Sequence, residues 1–131
     1  MLHKALAAHN SYMKHAKAAK GVDRHLFGLR MLASENGLPK PELFQDVAYN
    51  RSSHWKLSTS NCGSPYLRLF SFGPVVDDGY GLGYMIHDDG ISVNVTAKTD
   101  CKETSARQFA NSLEFAFLEI HTLASGILSK L

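Results

Sequence analysis

Leu2, Leu6, His9, Met13 and Ala16 recur at three- and four-residue steps and share one face of the spacing they define. That period predicts a helix over residues 2–20, with Gly21 as the residue beyond its end. A second helix is expected over 23–36, with Asp23 as N-cap and Gly37 and Pro39 closing it. Residues 41–44 read as a short helical turn or a loop. The middle of the chain changes period. Residues 55–60 and 66–72 read as strands, and Gly73-Pro74 ends the second. Asp77-Asp78-Gly79 is a turn, and residues 80–86 then alternate glycine with apolar side chains. His87-Asp88-Asp89-Gly90 is a hairpin signal, followed by apolar–polar alternation over 91–97. From about Ser105 a last helix carries Phe109, Leu113, Ala116, Phe117, Ile120 and Leu123 on one broad stripe, so it packs on something.

The order is helix, helix, about four strands, helix, an α/β (α+β) mixture of helices on a mixed sheet. These elements crowd 131 residues. The first helix starts at the first residue with no preceding cap, which predicts a segment of a larger domain. No internal repeat or low-complexity linker interrupts it.

Composition changes this picture little. The chain is 44% hydrophobic and 20% charged, with a formal charge of +2. Such a charge gives no electrostatic case for nucleic acid. Lys4, Lys14, Lys17, Lys20 and Arg24 face only Asp23 in the early stretch. A targeting presequence favours Arg and Ser, so a solvated basic helix face is the better reading. No apolar run approaches the ~18 residues of a membrane span. Cys62 and Cys101 form no C-x-x-C pair and are read as free thiols. The chain ends Ser129-Lys130-Leu131, a peroxisomal address read by an import receptor.

Candidate chemistry is scattered. Asp23-Arg24-His25 places a guanidinium at a helix start, which the helix dipole disfavours. It is either a local ion pair with Asp23 or an anion clamp. Ser58 and Ser60 fall on one face of a strand and Thr59 on the other. His54 and Lys56 share the serine face if the strand begins that early. A Ser–His hydrolase is disfavoured, because no Gly-x-Ser-x-Gly elbow surrounds either serine and no acid is placed to orient His54. Asp77, Asp78, His87, Asp88 and Asp89 match no metal-ligand spacing, and turn chemistry accounts for them. Gly79, Gly81 and Gly83 lack the helix of a dinucleotide fingerprint and point to close backbone packing in a strand.

Four stretches, "VDRHLFGL", "LSTS", "FGPVVDDGYGLGY" and "CKET", occur in the order and spacing that resemble the choline/carnitine acyltransferases. The match runs from about His9 to Ala124 and covers only the C-terminal end of a family enzyme. The resemblance implies a chloramphenicol-acetyltransferase-like domain and a set of roles. Arg24 would pair with the carnitine carboxylate. Ser58 and Thr59 fall in the carnitine-lining S-T-S motif, and Ser60 would donate to the oxyanion. Phe72 would pack on the trimethylammonium group with Val75 nearby. Asn61 would border the CoA channel. Carnitine and acyl-CoA would be the substrates, with CoA as co-substrate and no resident cofactor or metal.

The resemblance also marks departures. The family's general base is a histidine in H-x-x-x-D. The seven histidines are followed four residues later by Ala7, Met13, Ala19, Leu29, Ser58, Ile91 and Ser125, so none fits. Asn10 stands where some relatives carry a CoA-contacting arginine. Phe70 stands at the floor of the acyl pocket, and its bulk implies a short acyl group. Against this, "HLFGLR", "ELFQDVAY" and "YMIHDD" resemble the mitochondrial palmitoyl-transferring branch. The expected location is the peroxisome, with the mitochondrion as alternative.

Overall fold

A computed structural model describes residues 1–128; the Ser129-Lys130-Leu131 tail lies outside the described residues. The chain divides into two compact units, 1–53 and 54–131.

The first unit is helical. Helix α1 spans Leu2–Lys17 and α2 spans Val22–Glu35. Both close with the same backbone device. At α2, Leu38 N donates to Ala33 O (2.9 Å) and Gly37 N to Ser34 O (3.1 Å) around Gly37 at φ 63°. At α1, Lys20 N donates to His15 O and Ala19 N to Ala16 O, both at 3.0 Å. These paired bonds form a Schellman closure, which requires a left-handed residue at its bend. In α1 that residue is Ala19 at φ 57°, not the expected Gly21. The helix therefore stops sooner than its apolar spacing suggests. Asp23 is likewise not an N-cap: Gly21 holds that position, and Asp23 lies inside the first turn. Its carboxylate forms no ion pair with Arg24 among the described residues.

A 3₁₀ turn at Glu42–Gln45 leads into helix α3, Val47–Ser52, which the apolar pattern does not reveal. Asp46 caps α3 by accepting from Ala48 N (2.7 Å) and Tyr49 N (3.2 Å). Phe44 is buried and meets the Tyr49 ring edge-on at 5.2 Å.

The second unit holds a three-stranded sheet in the order β1 (Leu57–Asn61), β2 (Tyr80–Ile86), β3 (Ile91–Ala97). β1 and β2 are parallel; β2 and β3 form the expected hairpin, with His87 N donating to Gly90 O at 2.8 Å. Residues 66–72 are not a strand. They belong to the crossover between β1 and β2, which lies on the sheet instead of extending it. Parallel neighbours require such a connection, and β2 already has a partner on each edge. Helix α4, Ala106–Leu128, packs on the opposite sheet face toward β3, where Leu113 and Phe117 line one groove with Ile91 and Val93. Ser105 caps it by accepting from Gln108 N (3.3 Å). Tyr80 accepts from Ser105 N (3.0 Å) and stacks on Phe109 at 4.5 Å, which ties the helix start to β2.

Asp78, at the end of the crossover, clasps the entry to β1. Its carboxylate accepts from Lys56 Nζ at 2.8 Å and meets His54 Nε2 at 2.6 Å. An acid does therefore orient His54, reached through space over 24 residues of chain. The hydrogen bond with Lys56, then that with His54, holds the Asp78 carboxyl below its ordinary pKa. The Asp78 bond in turn raises Lys56. Cys62 and Cys101 are free thiols.

Burial is shallow. Among the described residues the buried hydrophobic side chains are Ala33, Phe44, Leu82 and Met85. The accessible surface is 11039 Å². Two separate compact domains of these unit sizes would together expose only about 8,200 Å².

Ala19→Gly should relieve the left-handed strain at the end of α1. The expected gain is about 0.5–1 kcal/mol, after the unfolded-state entropy of glycine is subtracted. Chemical denaturation monitored by circular dichroism measures it, and a loss of stability would refute the strain. The Asp78 clasp carries a pH signature. A carboxyl with a lowered folded pKa stabilises above its unfolded value and loses that contribution as pH falls through the folded one. Asp78→Asn should therefore lower the melting temperature at neutral pH, with the difference from the parent closing only below about pH 4. A difference that stays constant into acid would rule out the ionised clasp.

Candidate functional site

Strand register builds the site. Parallel pairing sets Ser58 beside Gly81 and Ser60 beside Gly83. Antiparallel pairing sets Thr96 and Asn94 on the far side of the same two glycines. Side chains alternate along each strand, so these six positions share one face, which is polar and low. Leu57, Thr59, Leu82, Tyr84, Val93 and Val95 share the other, which is apolar and meets α4.

The crossover lies across the low face. A methyl group on Gly81 would sit 2.6 Å from the Phe72 carbonyl oxygen and 2.9 Å from that of Gly73. One on Gly83 would sit 2.5 Å from the Phe70 carbonyl oxygen and 3.0 Å from its ring. Both distances are shorter than any carbon contact tolerates, so β2 needs glycine at these positions. The expectation of close backbone packing holds, and its partner is the crossover.

This arrangement puts the backbone of Phe72 over the row that begins at Ser58, and the backbone and ring edge of Phe70 over the row that begins at Ser60. The two rings stand 5.6 Å apart, tilted by 37°. Ser60 is exposed near the end of β1, and its hydroxyl makes no hydrogen bond among the described residues. It is free to donate to a ligand oxygen. No hydrogen bond joins His54 to either serine among the described residues; its Nε2 faces Asp78 instead. The geometry is that of a hydroxyl-bearing strand next to the glycines on which the crossover lies, with two adjoining aromatic rings on that crossover and no Ser–His nucleophile pair.

Other candidate residues stand elsewhere. Thr59 is on the opposite face, lining an apolar groove of about 310 Å³ with Leu82, Val93, Leu113 and Phe117. Asn61 ends β1, exposed and paired with Tyr84. Val75 follows the crossover's Gly-Pro and is exposed. Arg24 belongs to the first unit, exposed on the first turn of α2.

Two contributors escape sequence reading. Asp78 looks like a turn residue because it precedes Gly79, yet its carboxylate serves Lys56 and His54. Thr96 donates through Oγ1 to Phe72 O at 2.6 Å, with Gly81 O at 3.2 Å. A hydroxyl opposite a glycine in a hairpin was the available signal. Its meaning required the crossover's path.

Residues 1–115 match the choline/carnitine O-acyltransferase family. The chain is 42% identical over 123 residues to mitochondrial carnitine O-palmitoyltransferase 2 of Xenopus tropicalis, covering 94% of this chain and 18% of that protein. It is 40% identical over 123 residues to carnitine O-acetyltransferase of Rattus norvegicus, covering 94% and 20%. It is 42% identical over 127 residues to peroxisomal carnitine O-octanoyltransferase of Bos taurus, again covering 94% and 20%. The chain thus spans about a fifth of the length of these relatives. Their names carry three acyl groups and one shared acceptor, carnitine. The chain belongs to the choline/carnitine O-acyltransferase family.

Proposed function

We propose that this chain supplies the carnitine-binding and oxyanion-stabilising part of a carnitine O-acyltransferase that moves a short acyl group between CoA and carnitine. The observation that supports it is the pairing of rows: Ser58 neighbours Gly81, over which the Phe72 backbone lies, and Ser60 neighbours Gly83, over which Phe70 lies. The family roles divide in the same way, with Ser58 and Phe72 on carnitine and Ser60 and Phe70 on the acyl group.

The chemistry follows from these side chains. The carnitine hydroxyl attacks the thioester carbonyl, an O–C bond forms, and negative charge gathers on the carbonyl oxygen. Ser60 donates a hydrogen bond to that oxygen. The C–S bond then breaks and the CoA thiolate takes up the proton that the hydroxyl gave to a general base. This chain holds no H-x-x-x-D histidine, so the base comes from other residues. Arg24 offers the carnitine carboxylate a fixed, planar cation. The trimethylammonium group has no N–H to donate, so the face of Phe72 is its fitting partner, beside Val75. Asn61 borders the CoA path. Thr59, turned to the other face, serves this reading as the spacer that puts both serines on one side. Phe70 fills the acyl end and favours short chains.

A second reading is a carnitine-binding module without catalysis. It is supported by the lack of an H-x-x-x-D histidine in this chain. The proposed location is the peroxisome, through Ser129-Lys130-Leu131, with the mitochondrion as alternative.

Kinetics separate these readings. The chain alone should turn over no carnitine. Placed as the C-terminal end of a complete acyltransferase, Ser60→Ala should lower kcat by about 100-fold to 1,000-fold. In the same enzyme Arg24→Ala should raise KM for carnitine far more than KM for acyl-CoA. Equal effects on both substrates would exclude the carboxylate clamp. Deleting Leu131 should abolish peroxisomal import of a fluorescent fusion; surviving import would make the tail accidental.

A further inference from the structure

We propose that Thr96 is a positioning residue for the carnitine-facing aromatic, holding Phe72 on the sheet through its hydroxyl. The inference rests on the reading of Phe72 as the ammonium partner.

Three observations carry it. First, Thr96 is the only side chain of another element that bonds the crossover backbone among the described residues. Second, its hydroxyl sits between two carbonyls, Phe72 O at 2.6 Å and Gly81 O at 3.2 Å. It has one proton to give, and the shorter contact takes it. The bond therefore joins crossover to sheet at the residue whose ring matters. Third, the anchor is one-sided. Asn94 occupies the matching place beside Gly83, beneath Phe70, and makes no bond to the crossover. Phe70 is held by packing alone, whereas Phe72 is held by packing and a hydrogen bond.

The register explains why Thr96 can do this. Gly81 presents no side chain, so a hydroxyl on β3 reaches past it to the crossover. A β-branched residue also keeps β3 extended and has few rotamers, which fixes the direction of the hydroxyl. Valine at this position would keep the shape and lose the proton.

The one-sidedness gives the test its edge. In the full chain labelled with fluorophenylalanine, Thr96→Val should shift the Phe72 fluorine resonance and leave those of Phe27 and Phe115 in place. Thr96→Ser, which keeps the hydroxyl, should restore the parent spectrum. Thr96→Ala carries the same expectation if the valine variant does not fold. In a complete acyltransferase ending in this segment, T96V should raise KM for carnitine about fivefold to tenfold. KM for acyl-CoA and the acyl-length preference should stay unchanged. A Phe72 resonance that does not move, or a serine variant as poor as valine, overturns the anchor. Equal rises in both KM values overturn it too, since general disruption would explain them. A shifted Phe72 with unchanged carnitine KM would instead leave the anchor standing and remove Phe72 from the carnitine site.

Discussion

Backbone lies on backbone above Gly81 and Gly83, and the site depends on that contact. A methyl on either glycine would meet a crossover carbonyl at 2.6 Å or less. The crossover would have to lift, and Phe70 and Phe72 would lift with it. The missing side chains of β2 thus set the height of two aromatic rings. Glycine in a strand costs about 0.5–1 kcal/mol relative to alanine. β2 offsets this on its other face, where Tyr80 stacks on Phe109 and Leu82 is buried. One strand therefore does two jobs by alternation: Gly81 and Gly83 make room for the crossover on one face, and Tyr80 and Leu82 pack on the other.

The apolar pattern made most of the scaffold legible. Both long early helices, the β2–β3 hairpin and α4 follow from periodicity and turn residues. The misses share a cause. Residues 66–72 contain Tyr66, Leu67, Leu69, Phe70 and Phe72, a composition that suits a strand. Their place is instead in the connection that parallel β1 and β2 require, a fact of topology and not of composition. Helix α3 is short, and its Asp46 cap is its one local signal. Ala19 adopts a glycine's backbone because the Schellman bonds of α1 need a left-handed residue two positions before the available Gly21.

The site was legible to a different degree. Alternation alone separated Ser58 and Ser60 from Thr59, and the register agrees. It could not say what faces the serines, because residues 62–79 reach the sheet by a path that no local pattern encodes. The same holds for charge. Asp78 reads as turn chemistry, since Gly79 follows it. Its partners Lys56 and His54 are distant in sequence and join it only when β1 pairs with β2. The clasp and the parallel pairing are thus one event: the carboxylate gains its partners only when the strand bearing the serines is in register.

On the proposed reading, the exposure of Ser60 carries a further consequence. A hydroxyl stabilises an oxyanion strongly when water is excluded and weakly when water competes. Ser60 is open to solvent here. Its worth to catalysis therefore depends on a covering surface that the described residues do not form. The same residues leave much apolar surface unburied, with Trp55, Phe115, Leu118 and Leu123 each more than half exposed. Burying such surface is worth roughly 25 cal/mol per Å². The two facts meet in one physical step. Covering this apolar surface releases free energy, and where the cover also closes over β1 that free energy dries the serine. The fold of this segment and the strength of its hydrogen bond to the acyl oxygen would then be completed by the same contact.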